Sequence, residues 1–325
     1  MMRNIFGLAA AVAVVCLLGG CQDGQLLTVD FKTGQQLEYK IVSARTITLD
    51  IGGEDAKGKK SKDQSMIERL EMVICYSPTG AEDQLGRTTV NAVCKSANVR
   101  RTSFTGKSTP KDPVESLAGK SFKLTLSATG QIEDASDLQR VLNEIGKLAL
   151  SGASGSKKVK IPDMITDFAG SQWYLWDATS KVTDPAKGVS QGQSWSTYQI
   201  APMPIPMNIV KKATYTLAEI SEEQGDMIAI IDSSFEPANK RIQHWADPYN
   251  ERYYMKGVFA FLQGYDLVSL EGNGRQYFNI SKGCIQKEDQ QYRMVFNVAF
   301  PLALGDTVPQ LVIDQKFSVE LLSSR

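Results

Sequence analysis

The chain switches between two hydrophobic periods. Apolar residues recur near every second position from Leu37 to Ile51, from Met66 to Tyr76 and from Thr88 to Ser103, as half-buried strands require. The same alternation returns from Trp195 to Val210, from Ala213 to Ile220 and from Asp226 to Phe235. It closes the chain with Met294, Phe296 and Val298, then Leu311, Ile313, Phe317, Val319 and Leu321. Pro78, Gly80 and Gly86 mark one connection and Gln224-Gly225 another, so these segments read as antiparallel hairpins. Between them the period lengthens to about 3.6 residues. Leu138, Val141, Leu142, Ile145 and Leu148 share one face of a predicted helix that ends near Leu150, with capping oxygens from Asp134-Ala135-Ser136. After a Gly/Ser/Lys loop, Pro162 at a helix start and Met164, Ile165, Phe168, Leu175 and Trp176 predict a second helix.

Two halves echo each other. Gly34-Gln35-Gln36-Leu37 and Gly192-Gln193-Ser194-Trp195 each open a long strand followed by a hairpin, and the spacing from Gly119 to Gly130 equals that from Gly272 to Gly283. The expected architecture is therefore α+β: mainly curved antiparallel β-sheet in two related repeats with an inserted amphipathic helix pair. The boundaries are a signal peptide over 1–20, a first β-repeat over 21–133, a helical insert over 134–187 and a second β-repeat over 188–325.

The N-terminus stands apart. Arg3 precedes an apolar run from Ile5 to Leu18, shorter than the roughly 20 residues of a spanning helix and fitting a signal-peptide core. Leu18-Gly19-Gly20-Cys21 then resembles the lipobox of bacterial lipoproteins. That resemblance implies cleavage before Cys21 and acylation of its thiol and amine by fatty chains such as palmitate. It places the mature protein in the cell envelope, membrane-bound through its lipid. Gln22 in the next position implies the outer membrane, facing the periplasm.

With Cys16 in the signal and Cys21 lipidated, Cys75, Cys94 and Cys284 remain. Cys75 and Cys94 lie on adjacent alternating segments, so either a disulfide between them or two buried thiols is expected.

Charge and composition exclude several function classes. Lys plus Arg total 36 and Asp plus Glu total 36, which leaves no basic excess for a nucleic-acid partner. The single histidine, His244 in a polar loop, removes most histidine-based zinc sites and every triad not built on it. Gly106-Lys107-Ser108 and Gly119-Lys120-Ser121 lack the leading glycine of a phosphate loop, which Arg101 and Val114 replace. No metal spacing, cofactor motif or catalytic set is present in the sequence, and Lys57, Lys59, Lys60 and Lys62 read as a solvated loop. Trp173, Tyr174, Trp176 and Trp195 read as core aromatics. The run Tyr198 to Met207 has prolines at 202, 204 and 206, so it reads as a sheet edge or strap, with Met203, Ile205 and Met207 as a candidate apolar binding strip.

Phe31-Lys32-Thr33-Gly34-Gln35, Val93-Cys94-Lys95-Ser96, the segments from Ser116 to Phe122 and from Gly188 to Trp195, and Ala213-Thr214-Tyr215-Thr216-Leu217 together resemble an uncharacterised family of bacterial lipoproteins, a domain of unknown function. The resemblance implies a lipid-anchored envelope protein rich in antiparallel strands, and it assigns no catalytic residue. The functional expectation is non-enzymatic binding of a hydrophobic ligand, such as a lipid, or of an envelope protein. An envelope scaffold and a carboxylate-dependent hydrolase are the alternatives.

Overall fold

A computed structural model describes residues 24–51, 64–80, 82–104, 111–151, 158–182, 184, 186–205, 207–242, 247–249, 253–255, 257–299 and 308–325. The signal segment with Cys21, the lysines at 57–62, Gly106-Lys107-Ser108, Pro206 and His244 lie outside the described residues.

In the first half the alternating segments form β1 (Leu37–Asp50), β2 (Gln64–Pro78) and β3 (Thr88–Arg101), and two further short strands follow, β4 (Ser121–Leu126) and β5 (Ile132–Asp134). The second half supplies β8 (Ser194–Ala201), β9 (Ile209–Glu223), β10 (Asp226–Pro237), β12 (Gln263–Asn279), β13 (Cys284–Ala299) and β14 (Gln310–Ser324). These eleven strands make one antiparallel sheet in the order β5-β4-β3-β2-β1-β14-β13-β12-β10-β9-β8. A small second sheet joins β6 (Leu150–Ser151), β7 (Lys158–Lys160) and β11 (Tyr253–Met255). Among the described residues three α-helices lie between the halves in sequence: α1 (Ser136–Ala149), α2 (Ile165–Tyr174) and the single-turn α3 (Asp177–Ser180). No helix among the described residues is long and apolar enough to cross a membrane.

One face of the sheet is buried along its long strands, and the core lies between that face and the helices. On β1 the inward set is Leu37, Tyr39, Ile41, Ser43, Arg45, Ile47 and Leu49. Gln224 and Gly225 both take positive φ (53° and 86°), which a two-residue turn between β9 and β10 needs in order to match the strand twist. Residues 202–208 end β8, so the alternation from Trp195 to Val210 becomes two strands. A proline has no N–H to give a ladder, and the chain leaves the sheet there before β9 begins.

The helices depart from the sequence reading in detail. α1 buries Leu138, Val141, Leu142, Ile145, Gly146 and Ala149, whereas Leu148 is exposed. At 3.6 residues per turn Leu148 sits about 80° around the helix from Leu138 and Ala149 only about 20° from it, so Ala149 takes the core position. The second helical segment starts three residues after Pro162 and breaks after Tyr174. Asp163 accepts the Ile165 N–H at 3.0 Å.

The cysteine pair is not bridged. In the β2–β3 register Cys94 stands opposite Ile74, and Cys75 stands opposite Val93. Cys94 points into the core with Ile74, while Cys75 follows the outward phase of β2, and Cys75, Cys94 and Cys284 are all free thiols. Adjacent residues on a strand point to opposite faces, so this register separates the two sulfurs.

Candidate ligand-binding cleft

The two free edges of the large sheet, β5 and β8, line the same cleft. Ten strand spacings of about 4.8 Å would hold them about 48 Å apart in a flat sheet, so the sheet curls around α2 and α3 until its ends converge. The cleft encloses about 590 Å³. Its walls are Ile132 of β5, Ala135, Trp173 and Tyr174 of α2, Tyr198 and Ile200 of β8, and Ile242.

Its polar lining centres on Asp177 and Gln199. The Gln199 amide nitrogen donates to Asp177 Oδ2 at 2.8 Å and meets the Tyr215 hydroxyl at 2.9 Å. Tyr215 in turn donates to the same Asp177 oxygen at 2.9 Å. With its nitrogen committed, Gln199 leaves its amide oxygen buried without a hydrogen-bond partner. Asp177 and Gln199 are 7% and 4% exposed, so neither reaches bulk solvent freely. Burial raises the Asp177 carboxyl above the usual carboxylate range, against the opposing hydrogen bonds from Gln199 and Tyr215 and the nearby charges of Lys181 and Lys211. Glu133, Ser180 and Lys181 complete the polar lining, and the Lys240 ammonium sits 4.0 Å from the centre of the Tyr198 ring.

A smaller cleft of about 260 Å³ lies on the other flank of Ile200. There Met203, Ile205 and Met207 meet Lys160, Tyr249 and Tyr253. Met203 and Ile205 are each only 4% exposed and belong to the main core, so the proline strap turns these side chains inward and does not display an open apolar strip. Tyr174, Trp176 and Trp195 are core residues, and Trp195 donates its ring N–H to the Ala178 carbonyl at 2.7 Å.

Two buried polar groups hold the helices against the sheet. In the first, Arg45 of β1 pairs with Glu68 of β2 at 2.6 Å and with Asp167 of α2 at 2.9 Å. Arg101 of β3 bonds Glu68 and reaches Asp112 at 2.8 Å, while Lys160 pairs with Asp163 at 2.8 Å. Ser43 donates to Asp167 at 2.8 Å. Burial opposes the Glu68 charge, but Arg45 and Arg101 outweigh it and hold that carboxyl below its usual range. For Asp167 burial wins and the carboxyl is raised. Asp112 is pushed up to about 6 by burial, with the nearby Asp163 charge adding to it.

In the second group the Lys211 ammonium of β9 lies among three rings, 3.9 Å from the centre of Phe235, 4.4 Å from Tyr292 and 4.7 Å from Tyr174. Its hydrogen bond runs to the Gln290 amide oxygen at 3.1 Å. Burial lowers Lys211 to about 7 and raises Glu288, the acid on the same side of β13, to about 7.

The sequence reading passed over these residues. Their signal was nonetheless present, because Arg45, Glu68, Lys211 and Glu288 each occupy the inward phase of an alternating strand, where an apolar residue is the rule.

Comparison with known proteins gives a partial family-model match and a structural likeness. A model for a family of unknown function, DUF6263, matches residues 88–236. That stretch is somewhat under half of the chain, and it contains every lining residue of the larger cleft except Ile242. No curated protein matches. Among solved structures the chain is similar to lipovitellin, in a structure titled for its lipid-protein interactions, with 9% identity and a TM-score of 0.44. The match covers 91% of this chain and 26% of the lipovitellin chain, so the chain spans about a quarter of that protein's length. Among the described residues no group of three or more His, Cys, Asp or Glu is placed to hold a metal ion.

Proposed function

We propose that this chain is a lipid-anchored protein of the cell envelope that holds a hydrophobic or amphiphilic ligand in the cleft between its sheet edges, without catalysing a reaction on it. The cleft carries this reading. Its volume, its apolar and aromatic walls and its few convergent polar groups are the features of a small-molecule site. The concave side of the sheet is filled by α2 and α3, so a ligand is held at the seam and not in a hollow interior. The order of charge, apolar run, small residues and Cys21 at the N-terminus supports the anchor.

The two-repeat organisation belongs to the same proposal. From one end of the sheet to the other the strands run β8-β9-β10-β12-β13, then β14, then β1-β2-β3-β4-β5, two five-strand meanders laid in the same direction. Gly34 and Gly192 precede β1 and β8 with φ of 82° and 84°, and Gly130 and Gly283 precede β5 and β13, again with positive φ. Gly119 and Gly272 do not correspond in this way, since only Gly119 has positive φ.

Native mass spectrometry of protein extracted gently from membranes tests the ligand. A mass increment matching a lipid or other amphiphile, lost on Ile200→Trp substitution in the cleft wall, is the expected result. A chain that carries no small ligand and does not take up an apolar fluorescent probe overturns the reading, and a stoichiometric protein partner in its place favours the scaffold. Cys21→Ser should leave an uncleaved precursor; mature protein recovered wholly soluble and beginning elsewhere than Cys21 overturns the anchor.

A further inference from the structure

The polar end of the cleft has a definite sense. Gln199 lines the cleft and is 4% exposed, and its amide oxygen has no hydrogen-bond donor among the described residues. The hydrogen bonds to the neighbouring Asp177 carboxylate both reach Oδ2, from Gln199 and Tyr215. A buried acceptor without a donor is costly, so a ligand that donates here makes a hydrogen bond that the chain itself does not supply. A ligand carboxylate at this end would bring further acceptors against Asp177 and the Gln199 oxygen, while the cations on this side are Lys181 in the lining and Lys240 over the Tyr198 ring. Ser180 already donates to the Asp177 carbonyl at 3.1 Å.

We infer that the cleft selects an amphiphile whose polar end is a primary ammonium, its N–H groups donating to Gln199 Oε1 and Asp177 and its apolar part lying against Trp173, Ile132 and Ile242. This rests on the amphiphile-binding reading above and adds the sense of the headgroup. Two sources share this chemistry, a free alkylamine and a lipid headgroup ending in a primary amine.

Titration of the full mature protein with octylamine, octanol and octanoate, read by tryptophan fluorescence and calorimetry, separates the possibilities. The expected order is octylamine tightest, octanoate at least tenfold weaker and octanol between them, with butylamine weak because it lacks the apolar part. Lysophosphatidylethanolamine and lysophosphatidylcholine then distinguish the source. They share the phosphate but only the former has N–H donors, so its tighter binding assigns a lipid headgroup, whereas equal weak binding of both beside tight octylamine assigns a free amine. In Gln199→Leu the amine-over-carboxylate preference should collapse while octanol binding persists, which also shows that the variant is folded. Octanoate binding as tightly as octylamine to the wild-type chain overturns the ammonium inference and leaves amphiphile binding standing. No binding by any eight-carbon compound overturns both.

Discussion

Removing Arg45 gives the sharpest test of what holds α2 inside the curled sheet. Its guanidinium is fully buried and joins β2 to α2 through Glu68 and Asp167. In Arg45→Met, Glu68 keeps Arg101, but Asp167 keeps only neutral partners, Ser43 and Gln315. One carboxylate is thus left buried without a counter-charge, and such a loss costs about 3–5 kcal/mol. Asp167→Asn should cost less, because Arg45 retains Glu68. In the double variant the orphaned charge is gone, so its cost should fall short of the sum of the singles by about 1–3 kcal/mol. Urea denaturation of the four proteins measures this, with the slope against urea compared to confirm that the same surface unfolds. The pH dependence has a fixed sign. The Asp167 carboxyl is already raised by burial, and loss of Arg45 raises it further. The folded variant then keeps a proton that the unfolded chain, with an ordinary carboxylate near about 3.9, releases, so the penalty should shrink as pH falls from 7 toward about 4. An Arg45→Met protein within about 1 kcal/mol of wild type at unchanged slope, or a strictly additive cycle, would refute this account.

The double variant Lys211→Met, Glu288→Gln should raise stability at pH 7 by about 1–4 kcal/mol, because it removes both buried titrating groups together, whereas Lys211→Met alone strands the Gln290 oxygen and leaves Glu288 without its cation. Folded Lys211 has its pKa lowered to about 7 against an unfolded value near about 10.4, so its part of the gain should fade as pH rises from 7 to about 10, measured by denaturation across that range. Gly130→Ala should destabilise by about 1–3 kcal/mol in the same assay, since φ is 87° and a Cβ there would lie 2.7 Å from Val29 and 2.9 Å from Trp176. Free-thiol counting on unfolded, unreduced mature protein should return three thiols. In the native state Cys94 and Cys284, whose pKa burial lifts to about 11, should resist thiolate-specific reagents; a count of one thiol would restore the bridge.

The sequence by itself determined many of the long strands, because an alternating pattern has one way to bury its apolar face, but not β12 (Gln263–Asn279), where Gly272, Asn273 and Gly274 interrupt the alternation. Leu37 to Ile51, Met66 to Tyr76, Ala213 to Ile220 and the turn at Gln224-Gly225 all appear where their period places them. It also determined most of the α1 face, since Leu138, Val141, Leu142 and Ile145 recur at the helical spacing. Register and closure were decided only in three dimensions. Whether Cys94 meets Cys75 or Ile74 depends on an irregularity between Val73 and Ile74 in the pairing of β2 with β3, and a single-residue shift exchanges the faces of every side chain beyond it. The cleft was beyond local pattern for the same kind of reason. Ile132 and Tyr198 become neighbours of one cavity only because the strands between them accumulate curvature, and curvature belongs to the whole sheet. The buried charges lay between these cases. Arg45 and Lys211 show their inward phase in the sequence, but their partners Asp167 and Gln290 are distant along the chain and come within reach through tertiary packing alone.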